Sequence, residues 1–586
     1  MITRPHHDGS ELYVSDPAPA LGDTVTVFVR VPRGTGVSRV HMRWVRDGEP
    51  VFTSLRIDRR TGGDTWWRGE IEAHNPVTRY RFLLGTTTGV RWLTAVGVTA
   101  HDVPDSTDFR LVAEPPAPAW ARDAVIYQIF PDRYARSPAA DLRETPDWAV
   151  RASSWDEPVE PGPDAVRVLY GGDLDGIARR LGHVTDLGAD TIYLTPFFPA
   201  RSNHRYDAAG FDRVDPLLGG DRALERLSSA ARERGLRLIG DLTTNHTGDA
   251  HPWFGRRPEF YYPGVFWLGV PSLPKLNWAS PGLRREFRGI VQQWLSEPYG
   301  LSGWRIDVAN MTARHGADDW NHEVAALLRR ALRDARPDGL LIAEHGHDAT
   351  GDLDRDGWHG TMNYAGFTRP VWCWLRAETV PFDGFLGNPE ELPVRDAGAL
   401  VATMSAFASQ MSWRSWEASW SLLGSHDTAR IRTVVGDAER QHVAAGLLFT
   451  LPGTPMVFAG DEIGLTGGGN ESARVPMPWD RPWDTVTLSR YRELIALRKS
   501  SPALRRGGLR WVHADGDTLV FLRESAAQSV LVLARRAAGD PIKLVGLPAD
   551  TTLENLYGGA KPLHIEPDGS TAIDGYGPAV QVWALP

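Results

Sequence analysis

The 586-residue chain contains a single cysteine, Cys373, so no disulfide can form within it. That scarcity suits a reducing compartment better than an exported protein. Nowhere does the sequence reach the run of about 18 consecutive apolar residues that a membrane-spanning helix requires. It also lacks an excess of positive charge: 64 basic residues against 73 acidic ones leave −9, spread along the chain. Such a balance carries no nucleic-acid footprint. The opening Met1-Ile2-Thr3-Arg4-Pro5-His6-His7-Asp8 has no apolar segment of the kind that marks a secretory signal. These absences together predict a soluble, cytoplasmic protein with neither nucleic-acid nor membrane partners.

What the chain has in quantity is tryptophan, 23 residues, within 10% aromatics. A large core would absorb many of them, since Trp is heavily buried on average. A sugar ligand would use others, because the C–H face of a pyranose lies well against an indole ring.

Residues 1–115 read as all-β, with short alternating runs such as Thr24-Val25-Thr26-Val27-Phe28-Val29-Arg30 between Gly, Pro and Asp turn clusters. Their spacing predicts a β-sandwich, followed by a stiff Pro-rich linker at 113–119. From Trp120 apolar strands alternate with amphipathic helical stretches, the mark of βα units and a parallel sheet. Eight strands are legible: Val125–Phe130, Thr191–Pro196, Arg237–Asp241, Gly303–Asp307, Leu340–Glu344, Thr361–Asn363, Ser421–His426 and Pro455–Ala459. Eight such repeats predict an α/β fold, a closed (β/α)₈ TIM barrel over 120–504 with its reacting groups at the C-terminal strand ends. An open doubly wound sheet is the competing fold, but no glycine-rich phosphate loop follows an early strand. The aromatic, Pro/Gly-rich stretch 247–283 is too long for an ordinary βα loop and reads as a small inserted subdomain after the third strand. Residues 505–586 return to β-type runs and predict a C-terminal all-β domain.

Four segments put ionisable residues where barrel strands end: Asp241-Leu242-Thr243-Thr244-Asn245-His246, Gly303-Trp304-Arg305-Ile306-Asp307, Ala343-Glu344-His345 and Gly424-Ser425-His426-Asp427. Taken singly each could be a helix cap or a structural ion pair. Four together around one barrel mouth point to a reacting centre. Cleavage of a glycosidic bond with retention needs one carboxylate to attack the anomeric carbon and a second to protonate the departing oxygen, ~5–5.5 Å apart. Arg305 lies two residues before Asp307, so both side chains leave the fourth strand on one side. A guanidinium there favours the ionised carboxylate a nucleophile needs.

These segments resemble the conserved regions of the α-amylase superfamily, glycoside hydrolase family 13. The resemblance implies Asp307 as nucleophile, Glu344 as acid/base and Asp427 as transition-state stabiliser. It makes Arg305, His246 and His426 contacts to the sugar at subsite −1, with Asp241 and Asn245 in support. Ser202-Asn203-His204-Arg205-Tyr206-Asp207 is similar to the family's segment after strand two, which adds His204 and has Tyr206 stack on that sugar. Phe130-Pro131-Asp132-Arg133-Tyr134, Trp155-Asp156-Glu157-Pro158, Tyr170-Gly171-Gly172-Asp173, Ser272-Leu273-Pro274-Lys275-Leu276 and Met362-Asn363-Tyr364 look most like those of maltodextrin glucosidases. The implied activity is hydrolysis of α-1,4 bonds in short maltooligosaccharides. The alternative is a cyclomaltodextrinase or neopullulanase type that opens cyclic glucans and releases maltose. The N-terminal sandwich resembles the extra domain of all three groups, and in the latter two it often builds a homodimer.

Two departures bear on this. Met311 follows Val308-Ala309-Asn310 where cyclomaltodextrinases usually carry Glu. Arg136-Ser137-Pro138-Ala139-Ala140-Asp141 stands where many relatives have a calcium loop, and with so few hard oxygen ligands neither a cofactor nor a structural calcium is expected.

Other residues admit bland readings. His345 and His347 follow Glu344 too closely for a zinc-protease helix. Asp461-Glu462 reads as a cap or rim ion pair as readily as a substrate contact. Trp253, Phe254, Phe266 and Trp267 divide between the core of the insert and a sugar platform. Trp413, Trp416 and Trp420 have the spacing of one buried helix face. A catalytically dead scaffold, or a protein that only binds starch, is the reading from another class; all three acids being present argues against both.

Overall fold

The computed structural model describes residues 2–378 and 389–586. Eight parallel strands form one sheet in barrel order: Ile126–Ile129, Thr191–Leu194, Arg237–Thr243, Gly303–Asp307, Leu340–Ala343, Gly360–Thr361, Trp420–Leu422 and Thr454–Phe458. The first pairs with the eighth, and the sixth and seventh meet through a parallel bridge between Met362 and Trp420, which closes the ring. All eight expected strands are present, so the TIM barrel holds. Apart from the half-buried Arg237, every residue of these strands is buried, as a parallel sheet covered on both faces requires.

The seventh strand is shorter than the sequence suggests. Pairing ends at Leu422, and Gly424–Asp427 leave the sheet as a turn in which the Ser425 hydroxyl accepts from Asp427 N at 3.2 Å. Trp420 belongs to that strand rather than to the helix Trp413–Ala418, so the three tryptophans do not share one helix face. The helix Asn321–Ala335 lies where its amphipathic pattern places it, with Val324, Leu328 and Leu332 on the buried side.

After the third strand, residues 247–280 carry a short helix, Pro252–Arg256, and a hairpin, Tyr261–Phe266 paired antiparallel with Pro274–Leu276. An isolated bridge between His246 and Lys275 ties this hairpin to the strand end. The N-terminal region is two antiparallel sheets packed on their own core. In Thr24–Pro32 the valines at 25, 27, 29 and 31 point inward in strict alternation. The C-terminal region is a six-stranded antiparallel sheet with a two-stranded companion.

An N-terminal arm joins the outer regions. Asp8 accepts from the Leu509 amide at 2.9 Å, against a Gly508 whose added Cβ would stand 2.2 Å from the carboxylate. His7 is buried between the Phe28 carbonyl (2.7 Å) and the Tyr80 hydroxyl (2.9 Å), and Arg30 reaches Glu524 at 2.9 Å.

Candidate active site

The barrel mouth gathers its charge around Arg305, which is fully buried in the fourth strand. Arg305 Nη1 donates to Asp307 Oδ1 at 2.8 Å and to the two oxygens of Asp241 at 2.9 and 3.0 Å. Nη2 lies 3.7 Å from Glu344 Oε2. One planar group thus spans three carboxylates delivered by the third, fourth and fifth strands. Asp307 and Arg305 leave their strand on the same side because they are two residues apart.

Glu344 is fixed from the neighbouring turn. Its Oε2 accepts from the Val308 amide at 2.7 Å, and its carbonyl accepts from Ala309 N at 3.0 Å. Val308 holds φ at 45°, a left-handed conformation that a β-branched residue rarely adopts. The residue directly after Asp307 is therefore bent so that its N–H meets Glu344.

Asp427 takes Arg474 Nη2 at 3.2 Å on Oδ1 and His426 Nε2 at 3.2 Å on Oδ2. His426 is fully buried, stacked on Tyr206 with centroids 5.4 Å apart. Gln128 Nε2 donates to His426 Nδ1 at 2.7 Å, which leaves the ring proton on Nε2, 2.7 Å from the Tyr206 hydroxyl. That hydroxyl donates in turn to Asp241 Oδ2 at 2.8 Å, and Tyr193 to the same oxygen at 2.5 Å. His204 also lies near the Tyr206 ring, centroids 5.8 Å apart, with Nδ1 accepting from Tyr206 N at 3.1 Å. His246 stacks on Trp267 at 5.2 Å and meets Asn245 Nδ2 at 3.1 Å through Nδ1.

Burial sets the protonation pattern. It lowers His246 and His426 to about 3, helped at His246 by Lys275 and opposed at His426 by Asp427, and it carries His204 well below its ordinary value. All three are neutral donors and acceptors. Burial also raises Asp307, Glu344 and Asp241; Arg305 opposes it in each, while neighbouring carboxylates add to it at Asp307 and Glu344. Asp427 is the exception. Burial works against its ionisation, yet His426, Arg474 and Arg305 together hold its carboxyl below the usual range. The four carboxylates face two guanidiniums, and a proton held within the cluster relieves the excess negative charge.

The structure brings Asp241, Arg305, Asp307, Glu344, Asp427, Tyr206, His426 and His204 into one network; Asn245 and His246 stand beside it, under the inserted hairpin. His345 turns away, with Nδ1 accepting from His347 N at 3.3 Å and Nε2 3.7 Å from Asp352. Asp461 and Glu462 are structural. Asp461 accepts from Arg430 at 2.8 Å, and Glu462 from Tyr127 at 2.8 Å with His183 at the same distance. Trp253 packs on Phe260 of the insert and on Phe211 and Phe287 of the barrel, so it joins the insert to the barrel core, whereas Phe254 is on the surface.

Four participants have no role in the sequence reading: Gln128, Val308, Lys275 and Arg474. Gln128 had a signal, an amide inside the otherwise apolar strand Ile126–Ile129. So did Lys275, a cation among Leu273, Pro274 and Leu276 that is 3% exposed. Arg474 had none, since it comes from an irregular loop. Among the described residues no group of three His, Cys, Asp or Glu side chains is arranged to hold a metal ion.

The alpha-amylase catalytic-domain model matches residues 128–260 and 257–485. The chain is 30% identical over 502 residues to a cyclomaltodextrinase of a Bacillus species, covering 80% of this chain and 83% of that one. It is 32% identical over 459 residues to neopullulanase 2 of Thermoactinomyces vulgaris, covering 74% and 72%. In three dimensions it matches a solved cyclomaltodextrinase over 99% of each chain, with a TM-score of 0.74 at 24% identity. The chain belongs to the alpha-amylase family. It is a glycoside hydrolase, and no helix among its described residues is long and apolar enough to cross a membrane.

Proposed function

We propose that the enzyme hydrolyses α-1,4-glucosidic bonds of short maltooligosaccharides with retention of configuration. The observation that carries this is the single guanidinium, Arg305, lying 2.8 Å from Asp307 and 3.7 Å from Glu344. It supports a reacting pair gathered around one cation, as direct attack by one carboxylate and proton donation by its neighbour require. Asp307 attacks the anomeric carbon while Glu344 passes its proton to the departing glycosidic oxygen, leaving a glycosyl ester on Asp307. Glu344, now ionised, takes a proton from water as that water cleaves the ester, and both groups are restored. Asp427, held ionised by Arg474, favours the positively charged transition state. Tyr206 offers its ring to the sugar, and His204, His246 and His426 offer hydrogen bonds to its hydroxyls; Asp241 and Asn245 hold these groups in place.

A second reading is favoured by the relatives, named for cyclomaltodextrins and pullulan: cleavage of cyclic glucans with release of maltose. Chromatography of the products from maltotetraose, maltohexaose and α-cyclodextrin, all even in glucose units, separates the two. Glucose from all three supports the first; maltose without glucose from these substrates overturns it in favour of the second. The anomer released first, read by NMR, tests retention, and β-glucose or β-maltose would contradict it.

In this reading the enzyme needs no cofactor and no structural calcium. The single cysteine supports a cytoplasmic site of action. Exposed Val51, Phe52 and Ile57 on two edge strands of the N-terminal sandwich support a homodimer through that region.

A further inference from the structure

Lys275 is the one charged residue of the hairpin strand Pro274–Leu276, and it is buried. Its ammonium is turned inward, donating to Asn245 Oδ1 and, at 2.9 Å, to the Met311 carbonyl. Those two oxygens come from different places around Asp307. Asn245 follows the third barrel strand, and Met311 closes the turn after the fourth. Burial lowers the lysine to about 8, so at neutral pH it is still mostly the cation that can only donate.

That restriction propagates. Because the ammonium has no acceptor, it must face Asn245 Oδ1, and the other end of the amide, Nδ2, is left pointing at His246 Nδ1 at 3.1 Å. An amide nitrogen also only donates, so Nδ1 of the neutral imidazole must accept and the ring proton sits on Nε2. Nε2 is buried with no hydrogen-bond partner in the free enzyme, and the acceptor facing the ring is the Tyr206 backbone carbonyl. Trp267 stacks on the ring, centroids 5.2 Å apart.

We propose that Lys275 is a positioning residue: through the Asn245 amide it fixes His246 as the Nε2–H tautomer, a ready donor for a sugar hydroxyl beside Asp307. The same ammonium pins the inserted hairpin to the turn after Asp307. The second part of this statement rests on the proposed role of His246; the tautomer itself does not.

The test is the ¹⁵N spectrum of histidine-labelled protein, with the His246 signals assigned by their loss in His246→Gln. In the wild type at neutral pH, Nε2 should be protonated and Nδ1 bare. Asn245→Asp keeps Lys275 tied but gives His246 an acceptor, so the proton should move to Nδ1. Lys275→Met should give a mixture of tautomers. In both variants kcat/KM on maltotriose should fall on the order of tenfold, the loss of one hydrogen bond, with unchanged far-UV circular dichroism. A wild-type His246 protonated on Nδ1, or a tautomer indifferent to the loss of Lys275, overturns the proposal. A correct tautomer with undiminished activity removes the role at the sugar alone. Should Lys275→Met fail to fold, Lys275→Gln, whose amide can present either end to Asn245, gives the same readout.

Discussion

Arg474 reaches Asp427 from a loop 47 residues further along the chain, Nη2 to Oδ1 at 3.2 Å, while its Nη1 holds Glu471 and its Nε donates to the His426 carbonyl at 2.8 Å. One side chain therefore secures both the acid and the turn that presents it. Arg474→Met should lower kcat/KM about tenfold to a hundredfold, the scale of a misplaced catalytic group. Arg474→Lys should recover only part of that, because an ammonium cannot make all three contacts. Steady-state kinetics on maltotriose with both variants checks this; full activity in Arg474→Met would show that Asp427 needs no anchor.

Asp307→Asn should leave the fold intact and reduce activity to well under about one percent, because losing a covalent nucleophile costs many orders of magnitude. Glu344→Gln should be comparably slow on maltooligosaccharides yet retain far more activity on an aryl glucoside whose leaving group needs no proton. Equal losses on both substrates would place Glu344 outside acid catalysis.

The pH profile should respond to Asp241, whose charge raises both Asp307 and Glu344. Activity needs Asp307 ionised and Glu344 protonated, so the first sets the acidic limb and the second the alkaline limb. Removing the Asp241 charge lowers both groups, and Asp241→Asn should shift the entire bell toward acid. A profile of kcat/KM between about pH 4 and 9 gives the answer; an alkaline shift would contradict the electrostatic picture.

Stability should carry the signature of Glu417, buried near Arg122 at 3.8 Å and raised by burial to about 7. A carboxyl whose folded pKa exceeds its unfolded one stabilises the fold most when protonated. Its contribution is complete below about pH 4.5 and disappears as pH rises through 7, with a ceiling of ~3 kcal/mol. Unfolding midpoints measured from about pH 5 to 8 should fall for the wild type and flatten in Glu417→Gln. Parallel curves would assign the decline elsewhere.

The sequence announced the barrel wherever an apolar run ends in ionisable residues, as at Asp241, Asp307 and Glu344, because strand burial and strand-end chemistry are both local. It was less informative at the seventh strand. Sheet pairing there is decided by the sixth and eighth strands, so Ser425 and His426 read as strand yet form a turn, and Trp420 read as helix yet pairs with Thr454. Arg474 could not be found by pattern, since its partners are set by the closure of the eighth barrel unit. Val308 was hidden for another reason: valine gives no hint of a left-handed backbone, and only the interlock with Glu344 makes that conformation worth holding.

The N-terminal arm, with His7 sunk into one β region and Asp8 locked to the amide of Leu509 in another, changes how the molecule comes apart. The sandwich is no pendant on a flexible tether; it is strapped to the far end of the chain. A protease that cuts within the first ten residues would thus release a tie between the two β regions while leaving the barrel strands whole.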